Sequence, residues 1–578
     1  MSAVRPTIAQ NIVASLKANN IKRVYGLPGD SLNGFTDALR EDGTIDWVHV
    51  RHEEAAALAA SADAALTGEL AVVAASCGPG NLHLINGLFD ANRSRVPVLA
   101  IAAHIPSEEI GSNYFQETHP QELFRECSVY VEYAATPAQM PRILEIAMRT
   151  AIEKRGVAVV VIPGDVALAE AQSNRTPVIS ATHPIIRPND AELARAAELL
   201  NGAKNVTILA GAGTEGAHSE VMALAEALGA PIVHAMRGKE FIEYNNPYDV
   251  GMTGLLGFSS GYKAMEGCDA LLMLGTDFPY QQFYPEKATI IQVDIRGEQL
   301  GRRTPLDLGL VGTVKDTATA LLPLLEHKKR RTHLEASLKH YAKARAKLDE
   351  LATPAKDGQP IHPQYLAKVI DSFAAEDTVF TADVGSPTVW AARYLTMNGK
   401  RRLLGSFNHG TMANALSHGI GAAAAYPGRQ VVALAGDGGL AMLLGELLTL
   451  TQNKLPVKTV VFNNSSLNFV ELEMKAAGFV NYGTDLENPN FAALAEAVGI
   501  KGIRVEKSSE LEAAMAVAMA HNGPVLLDVV TARQELSIPP AISAAQMKGF
   551  TLYALRTVMS GRGDELLDLA KTNLRQLF

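Results

Sequence analysis

The sequence predicts an α/β chain of three doubly wound parallel-sheet domains with a C-terminal amphipathic helix. Three observations lead there. Short buried-strand runs alternate with helix-period segments from the start of the chain, a pattern that implies mostly parallel sheets covered on both faces. Two proline-punctuated polar stretches divide the chain into similar blocks. The length of 578 residues leaves room for roughly three or four domains.

In the first block, Ile8, Ile12, Val13 and Leu16 recur at helical spacing. A strand is expected at 23–26, a helix from Ser31, a strand at 47–50, an alanine-rich helix at 54–66 and a strand at 70–74; alternation runs on to the apolar stretch 157–163. Thr176-Pro177, Pro184 and Pro188 read as a linker. A second unit begins with the strand 206–210 and ends before a charged helix at 327–351. The stretch 352–363 is the second linker, and a third unit spans 378–530. Expected domains are therefore 1–182, 183–352 and 353–535, with a tail at 536–578. In that tail, Leu566, Leu567, Ala570, Leu574, Leu577 and Phe578 gather on one side of a helical wheel, opposite Asp564, Asp568, Lys571 and Arg575.

Composition narrows the function classes. A hydrophobic content of 47% with 20% charged residues is that of a globular chain with a sizeable core. The net charge of -9 and the lack of a basic stripe argue against nucleic acid as a partner. Cys77, Cys127 and Cys268 are far apart and odd in number, which suggests neither a disulfide framework nor a zinc site. No apolar run is long enough to span a bilayer, so the bulk is expected to be cytoplasmic.

Two strand ends carry the chemistry. The run 430–434 leads into Ala435-Gly436-Asp437-Gly438-Gly439, and one crossover later 458–461 leads into Phe462-Asn463-Asn464. In a doubly wound sheet both deliver polar groups to the carboxyl edge, where ligands sit. The Asp437 carboxylate, the Asn464 amide oxygen and the main-chain carbonyl of Ser466 suit a hard cation such as Mg²⁺, and the glycines admit a diphosphate. The arrangement resembles the thiamine diphosphate motif. Such a site needs a second carboxyl group, set against the cofactor's ring nitrogen N1' so that the ring can deprotonate the thiazolium. Glu53, in Arg51-His52-Glu53-Glu54 at a strand-to-helix junction, is the candidate, expected in an apolar wall. Glu54 is accounted for by the helix dipole.

The middle block opens with Gly211-Ala212-Gly213-Thr214-Glu215-Gly216, yet the second strand, 231–234, ends without the acidic residue that a dinucleotide fold places there, which discounts NAD. Later strand ends, Gly275-Thr276-Asp277-Phe278 and Val293-Asp294, with Thr253-Gly254-Leu255-Leu256 and Arg237, point to an extended nucleotide such as FAD. Spacing alone leaves a cofactor-free packing domain equally open.

Taken together, the motifs Arg51-His52-Glu53-Glu54, Ser76-Cys77-Gly78-Pro79-Gly80-Asn81, Phe115-Gln116-Glu117, Gly251-Met252-Thr253-Gly254, Phe407-Asn408-His409-Gly410-Thr411-Met412, Gly436-Asp437-Gly438 with Asn463-Asn464, and Ser560-Gly561-Arg562-Gly563-Asp564-Glu565 resemble the quinone-reducing pyruvate oxidases of bacteria, within the thiamine diphosphate enzymes that include acetolactate synthases. The resemblance covers every domain. It implies pyrimidine-binding, FAD-binding and diphosphate-binding domains in that order, and oxidative decarboxylation of pyruvate to acetate and CO2 with electrons passed to a membrane quinone. Glu53, Phe115, Gln116, Phe469 and Glu473 would be catalytic or line the cavity. Thiamine diphosphate would be held by Glu53, Gly410, Thr411, Met412, Asp437, Gly438, Gly439, Asn464, Ser465, Ser466, Leu467, Asn468, Phe469 and Val470, with Mg²⁺ on Asp437, Asn464 and Ser466. FAD would contact Gly211, Gly213, Arg237, Thr253, Gly254, Leu255, Leu256, Thr276, Asp277, Phe278, Pro279, Tyr280, Asp294, Ile295, Arg296, Gly297, Glu298 and Gln299. The resemblance further implies a homo-oligomer, by family habit a tetramer, and a tail that meets phospholipid on the cytoplasmic face of the cell membrane. From its pattern alone the tail helix fits docking on the enzyme body as well as contact with lipid. Acetolactate synthesis, and oxygen as the electron acceptor, stay open as alternative readings.

Overall fold

Three six-stranded sheets follow one another along the chain, and every strand pairing within them is parallel. The computed structural model describes residues 5–173, 175–356, 358–533, 535, 544–559 and 563–577.

The first sheet holds β1 (Arg23–Gly26), β2 (Asp46–His49), β3 (Ala71–Ala75), β4 (Val98–His104), β5 (Tyr130–Tyr133) and β6 (Val157–Pro163), in the order β2-β1-β3-β4-β6-β5. The middle sheet holds β7 (Val206–Ala210), β8 (Ile232–His234), β9 (Asp249–Met252), β10 (Ala270–Leu274), β11 (Thr289–Asp294) and β12 (Leu308–Val311), in the order β12-β11-β10-β7-β8-β9. The third holds β13 (Val379–Ala382), β14 (Arg402–Leu404), β15 (Val431–Gly436), β16 (Lys458–Asn463), β17 (Lys501–Val505) and β18 (Val525–Val530), in the order β14-β13-β15-β16-β18-β17. First and third sheets thus share one topology. In each, the chain reverses its direction of growth beside the first strand, and this switch opens a crevice at the carboxyl edge.

The central strands are buried throughout because helices cover both faces. The alanine-rich helix, which spans Glu53–Thr67, is buried almost all round. It lies between the helix Pro79–Ser94 of its own domain and the helix Asn414–Ala425 of the third, and only small residues permit the crossing. A Cβ on Gly421 would fall 2.0 Å from the Ala59 carbonyl oxygen, and one on Gly87 would fall 2.5 Å from the Ala57 Cβ. One hydrophobic core therefore runs through the first and third domains. A buried polar string crosses the same seam: Asp90 Oδ2 accepts from Ser61 Oγ at 2.9 Å and lies 3.1 Å from His418 Nε2.

After β18 the helix Ala544–Met559 packs on the helix Asn468–Ala476 and is followed by the helix Gly563–Leu577. Ser560, Gly561, Arg562 and Phe578 lie outside the described residues, as do the side chains of Leu574, Arg575 and Leu577. No described helix is long and apolar enough to cross a membrane.

Candidate active site

The third-domain site follows from strand register. β15 and β16 are neighbours with Gly436 opposite Phe462, so Asp437 and Asn464 emerge side by side at the carboxyl edge. Asp437 is buried, and its Oδ2 accepts the amides of Asn464 (3.0 Å) and Ser465 (2.7 Å) and the Asn488 side chain (2.8 Å), while Oδ1 accepts the Gly438 amide (2.8 Å). Burial pushes its pKa up, and these donors oppose that shift. Asn464 Oδ1 receives the Ser466 amide at 3.0 Å. Ser465 takes a left-handed φ of 55°, and its carbonyl accepts the Leu486 amide. Leu467 in turn donates to the Thr484 carbonyl, which pins the 464–467 loop to a neighbouring segment.

A cation and a diphosphate fit this arrangement. The Asp437 carboxylate and the Asn464 amide oxygen stand on neighbouring strand ends and are the oxygen ligands a hard cation takes, while four N–H groups hold the carboxylate in place. A Cβ on Gly438 would meet Leu467 Cδ2 at 2.8 Å and Met412 Cε at 3.3 Å, so Met412 and Leu467 pack over the turn that carries Asp437. Gly439 faces downward, where a Cβ would fall 2.3 Å from Asp383 Oδ2. Asp383, buried beneath the turn, accepts the Ala415 (2.8 Å) and Gly436 (3.0 Å) amides, and burial pushes its pKa up to about 6. Gly410 has φ 87°, and Thr411 Oγ1 accepts from Asn86 Nδ2 at 2.9 Å.

Glu53 opens its helix behind the cap residue His52 and is buried. Where an apolar wall was expected, its oxygen partner is an imidazole: His83 Nδ1 lies 2.8 Å from Glu53 Oε2, and the His83 and His52 rings stack at 4.3 Å. These three side chains offer ligand atoms within 4.8 Å of one another, which could also hold a metal ion. Gly80 leaves room for the carboxylate, since a Cβ there would lie 3.1 Å from Glu53 Oε1. Gln116, at φ 63°, borders the same turn and accepts from Cys77 Sγ at 3.3 Å. Phe115 beside it is 77% exposed. Glu54 is held by Asn86, which bridges it to Thr411. Among the described residues no hydrogen bond or ion pair joins Glu53 to Asp437, Asn464 or Ser466.

Phe469 and Glu473 lie on the helix Asn468–Ala476, with Val470 40% exposed. Asn468 Nδ2 ties that helix to the Arg533 carbonyl at 2.7 Å. Across the domain boundary, Tyr280 titrates above its usual range through burial and, next, the charge of Glu473.

In the middle domain, Gly211 and Gly213 permit close backbone contact at the switch between β7 and β10: a Cβ on either would come within 2.7 Å of Gly275 or Thr276. Gly254, at φ 91°, faces the ring of Phe278. Leu255 packs in the core beside Phe278, whereas the Leu256 carbonyl is taken by Arg393 Nε, a contact with the third domain. Asp277 pairs with Arg303 at 2.8 Å, Pro279 leads to Tyr280, and Ile295 is 44% exposed. Gly297, Glu298 and Gln299 form a 3-10 turn after Asp294, which accepts the Arg296 amide at 2.9 Å.

Two features here fit an anionic nucleotide. Arg95 of the first domain is lowered to about 10 by burial, then by the neighbouring charge of Arg296 opposed by Asp294, with Arg155 and Arg237 adding smaller repulsion. Such a crowd of guanidinium groups favours a diphosphate among them. Thr253 Oγ1 and Arg296 Nε are buried without a hydrogen-bond partner among the described residues. Sequence reasoning missed Asp383, Asn488, Asn86, His83 and Arg95. Asp383 was accessible, since Ala382-Asp383-Val384-Gly385 is a strand end of the same kind as Ala435-Gly436-Asp437-Gly438; the others carry no local signal.

Comparison with known proteins defines the class. Residues 6–123 match the N-terminal thiamine pyrophosphate-binding domain of thiamine pyrophosphate enzymes, 193–321 their central domain and 383–529 their C-terminal thiamine pyrophosphate-binding domain. The chain belongs to the thiamine pyrophosphate enzyme family and is a thiamine-dependent enzyme. It is 36% identical to a putative thiamine pyrophosphate-containing protein of Bacillus subtilis (strain 168), over 99% of both chains. It is 30% identical to the pyruvate oxidase of Lactiplantibacillus plantarum, over 90% of this chain and 87% of the relative. It is likewise 30% identical to a probable acetolactate synthase large subunit of Methanocaldococcus jannaschii, over 90% of this chain and 91% of the relative.

Proposed function

We propose that this enzyme oxidatively decarboxylates pyruvate to acetate and CO2, using thiamine diphosphate, Mg²⁺ and FAD, and passes the electrons to a membrane quinone. When bound, thiamine diphosphate supplies an electron sink for decarboxylation and FAD accepts the two electrons. Overall, pyruvate and water yield acetate and CO2, with two electrons and two protons leaving. Glu53 would hold a proton against the ring nitrogen; Asp437, Asn464 and the Ser466 carbonyl would hold the metal; Phe115, Gln116, Phe469 and Glu473 would line the cavity. The observation that carries the reading is the seam where Arg393 of the third domain binds the Leu256 carbonyl of the middle domain at 3.0 Å and the charge of Glu473, on the helix that also bears Phe469, reaches Tyr280. A nucleotide held along 253–256 and 278–280 would border the third domain.

By resemblance to the thiamine diphosphate enzymes, Glu53 of one copy would stand opposite Asp437 of another, which would make the enzyme at least a dimer and by family habit a tetramer. A soluble flavoenzyme must reach the bilayer surface to reduce a lipid-soluble quinone. Met547, Leu555, Val558, Met559 and Leu567 are all more than half exposed along the two tail helices, which supports peripheral attachment on the cytoplasmic face of the membrane.

Anaerobic mixing with pyruvate tests the proposal. Flavin absorbance should bleach with formation of acetate, and a ubiquinone or menaquinone analogue should restore it much faster than oxygen does. Acetolactate as the main product, with the flavin still oxidised, would instead establish the carboligase reading that the acetolactate synthase relative supports.

A further inference from the structure

The 464–467 loop has a foundation that no motif announces. Ser466 Oγ donates to Glu471 Oε2 at 2.6 Å, and Lys475 Nζ donates to Glu471 Oε1 at 2.6 Å. Ser466, Glu471 and Lys475 are 3%, 1% and 2% exposed, so the pair is shielded from water. Glu471 and Lys475 stand one turn apart on the helix Asn468–Ala476. The lid over them comes from far along the chain: Lys475 Nζ lies 5.4 Å from the ring centre of Tyr553, itself 1% exposed, on the helix Ala544–Met559. That helix seats closely because a Cβ on Gly549 would fall 1.9 Å from the Ala476 carbonyl oxygen, and Arg556 Nη1 donates to the Gly478 carbonyl at 2.6 Å. Arg533 adds a second cation 3.6 Å from Glu471.

A buried charge pair of this kind has one well-defined geometry, because an oxygen displaced from its donors is left unpaired in a dry environment. Its free end is Ser466, whose amide also donates to Asn464 Oδ1. We propose that Glu471, held by Lys475 beneath Tyr553, is a positioning residue that aims the Ser466 carbonyl and the Asn464 side chain at the metal. The inference rests on the metal reading above and assigns Ser466 two separate tasks, with its carbonyl on the cation and its hydroxyl on Glu471.

Ser466→Ala separates them, since it keeps the carbonyl and removes the anchor. Glu471→Gln leaves an acceptor for Ser466 but removes the charge opposite Lys475. Full-length apo protein is titrated with thiamine diphosphate at graded Mg²⁺, read by calorimetry, and amide exchange at 465–467 is followed in metal-free protein. Both variants should raise the Mg²⁺ needed for half-saturation roughly 10- to 100-fold, the usual cost of losing a residue that orients a metal ligand, and should speed exchange in the loop even without metal. Asp437→Ala, run alongside, should abolish Mg²⁺-dependent binding. If Ser466→Ala and Glu471→Gln bind Mg²⁺ as the parent does while Asp437→Ala fails, the positioning role is wrong and the metal reading stands. Unchanged binding in Asp437→Ala overturns both.

Discussion

Two carboxyl groups one residue apart at the start of the Glu53–Thr67 helix face different chemistry. Glu54 is fastened by Asn86 to the Thr411 segment, whereas Glu53 points toward Gly80 and His83. Only the second leaves a carboxyl beside the turn that Gln116 borders. Replacing Glu53 with Gln preserves size and a hydrogen bond but removes the carboxyl that can share a proton with the ring nitrogen, so C2 hydrogen exchange of bound thiamine diphosphate should slow by about 10²- to 10⁴-fold. The melting temperature should stay close to that of the parent. Exchange at the parent rate, measured by quenched-flow NMR, would strip Glu53 of its role. His52-Glu53 was legible as a strand-end acid; its imidazole partner was not, because His83 comes from the next helix.

At the scale of elements, the turn between β2 and that helix is strapped to the third domain by Glu446. Its carboxylate accepts the Arg51 amide at 3.0 Å and the Thr449 hydroxyl at 2.6 Å. Burial pushes its pKa up to about 7 from an ordinary 4.5, with those donors opposing the shift. The folded chain therefore binds this proton more tightly than the unfolded chain does between those two pH values. Stability from this group is fully present below pH 4.5 and is lost as pH rises to 7, at about 1.4 kcal/mol per unit and on the order of 3 kcal/mol in all. Asp383 and Asp249, pushed up to about 6 and about 7, slope the same way, so the test is a difference. The melting temperature of Glu446→Gln should fall less steeply than the parent's between pH 4.5 and 7; parallel curves would show that Glu446 does not titrate in this window.

The whole molecule joins three sheets whose carboxyl edges must cooperate, and its tail belongs to that arrangement. The helix Ala544–Met559 is docked through Tyr553 and Gly549 yet leaves Leu555, Val558 and Met559 exposed, and Leu567 on the next helix is exposed as well. Removing residues from Gly561 onward should spare pyruvate-dependent reduction of a soluble dye. Affinity for anionic liposomes should drop about tenfold or more, since burying even two methylene groups is worth about 1.6 kcal/mol. Co-sedimentation with and without pyruvate measures this, and equal binding of intact and shortened protein would make the tail a structural appendage. Truncation before Ala544 should do something different, exposing Lys475 and Glu471 to water and loosening the 464–467 loop.

The sequence by itself determined the local geometry: parallel strands from continuous apolar runs, helices from 3.6-residue spacing, and the two strand ends that deliver Asp437 and Asn464. Those features depend on neighbours along the chain or on the simplest crossover between adjacent strands, so periodicity and turn chemistry are enough to read them. Tertiary structure alone decided what those residues meet. Asp383 lies under Gly439, Asn488 on Asp437, Arg95 beside Asp294 and Tyr553 over Lys475 because strand order reverses at each sheet's switch point and small residues let helices from different domains touch. Contacts between residues dozens to hundreds of positions apart are set by which layers pack together, and that choice is made by the summed burial of whole faces, with no trace in any single segment.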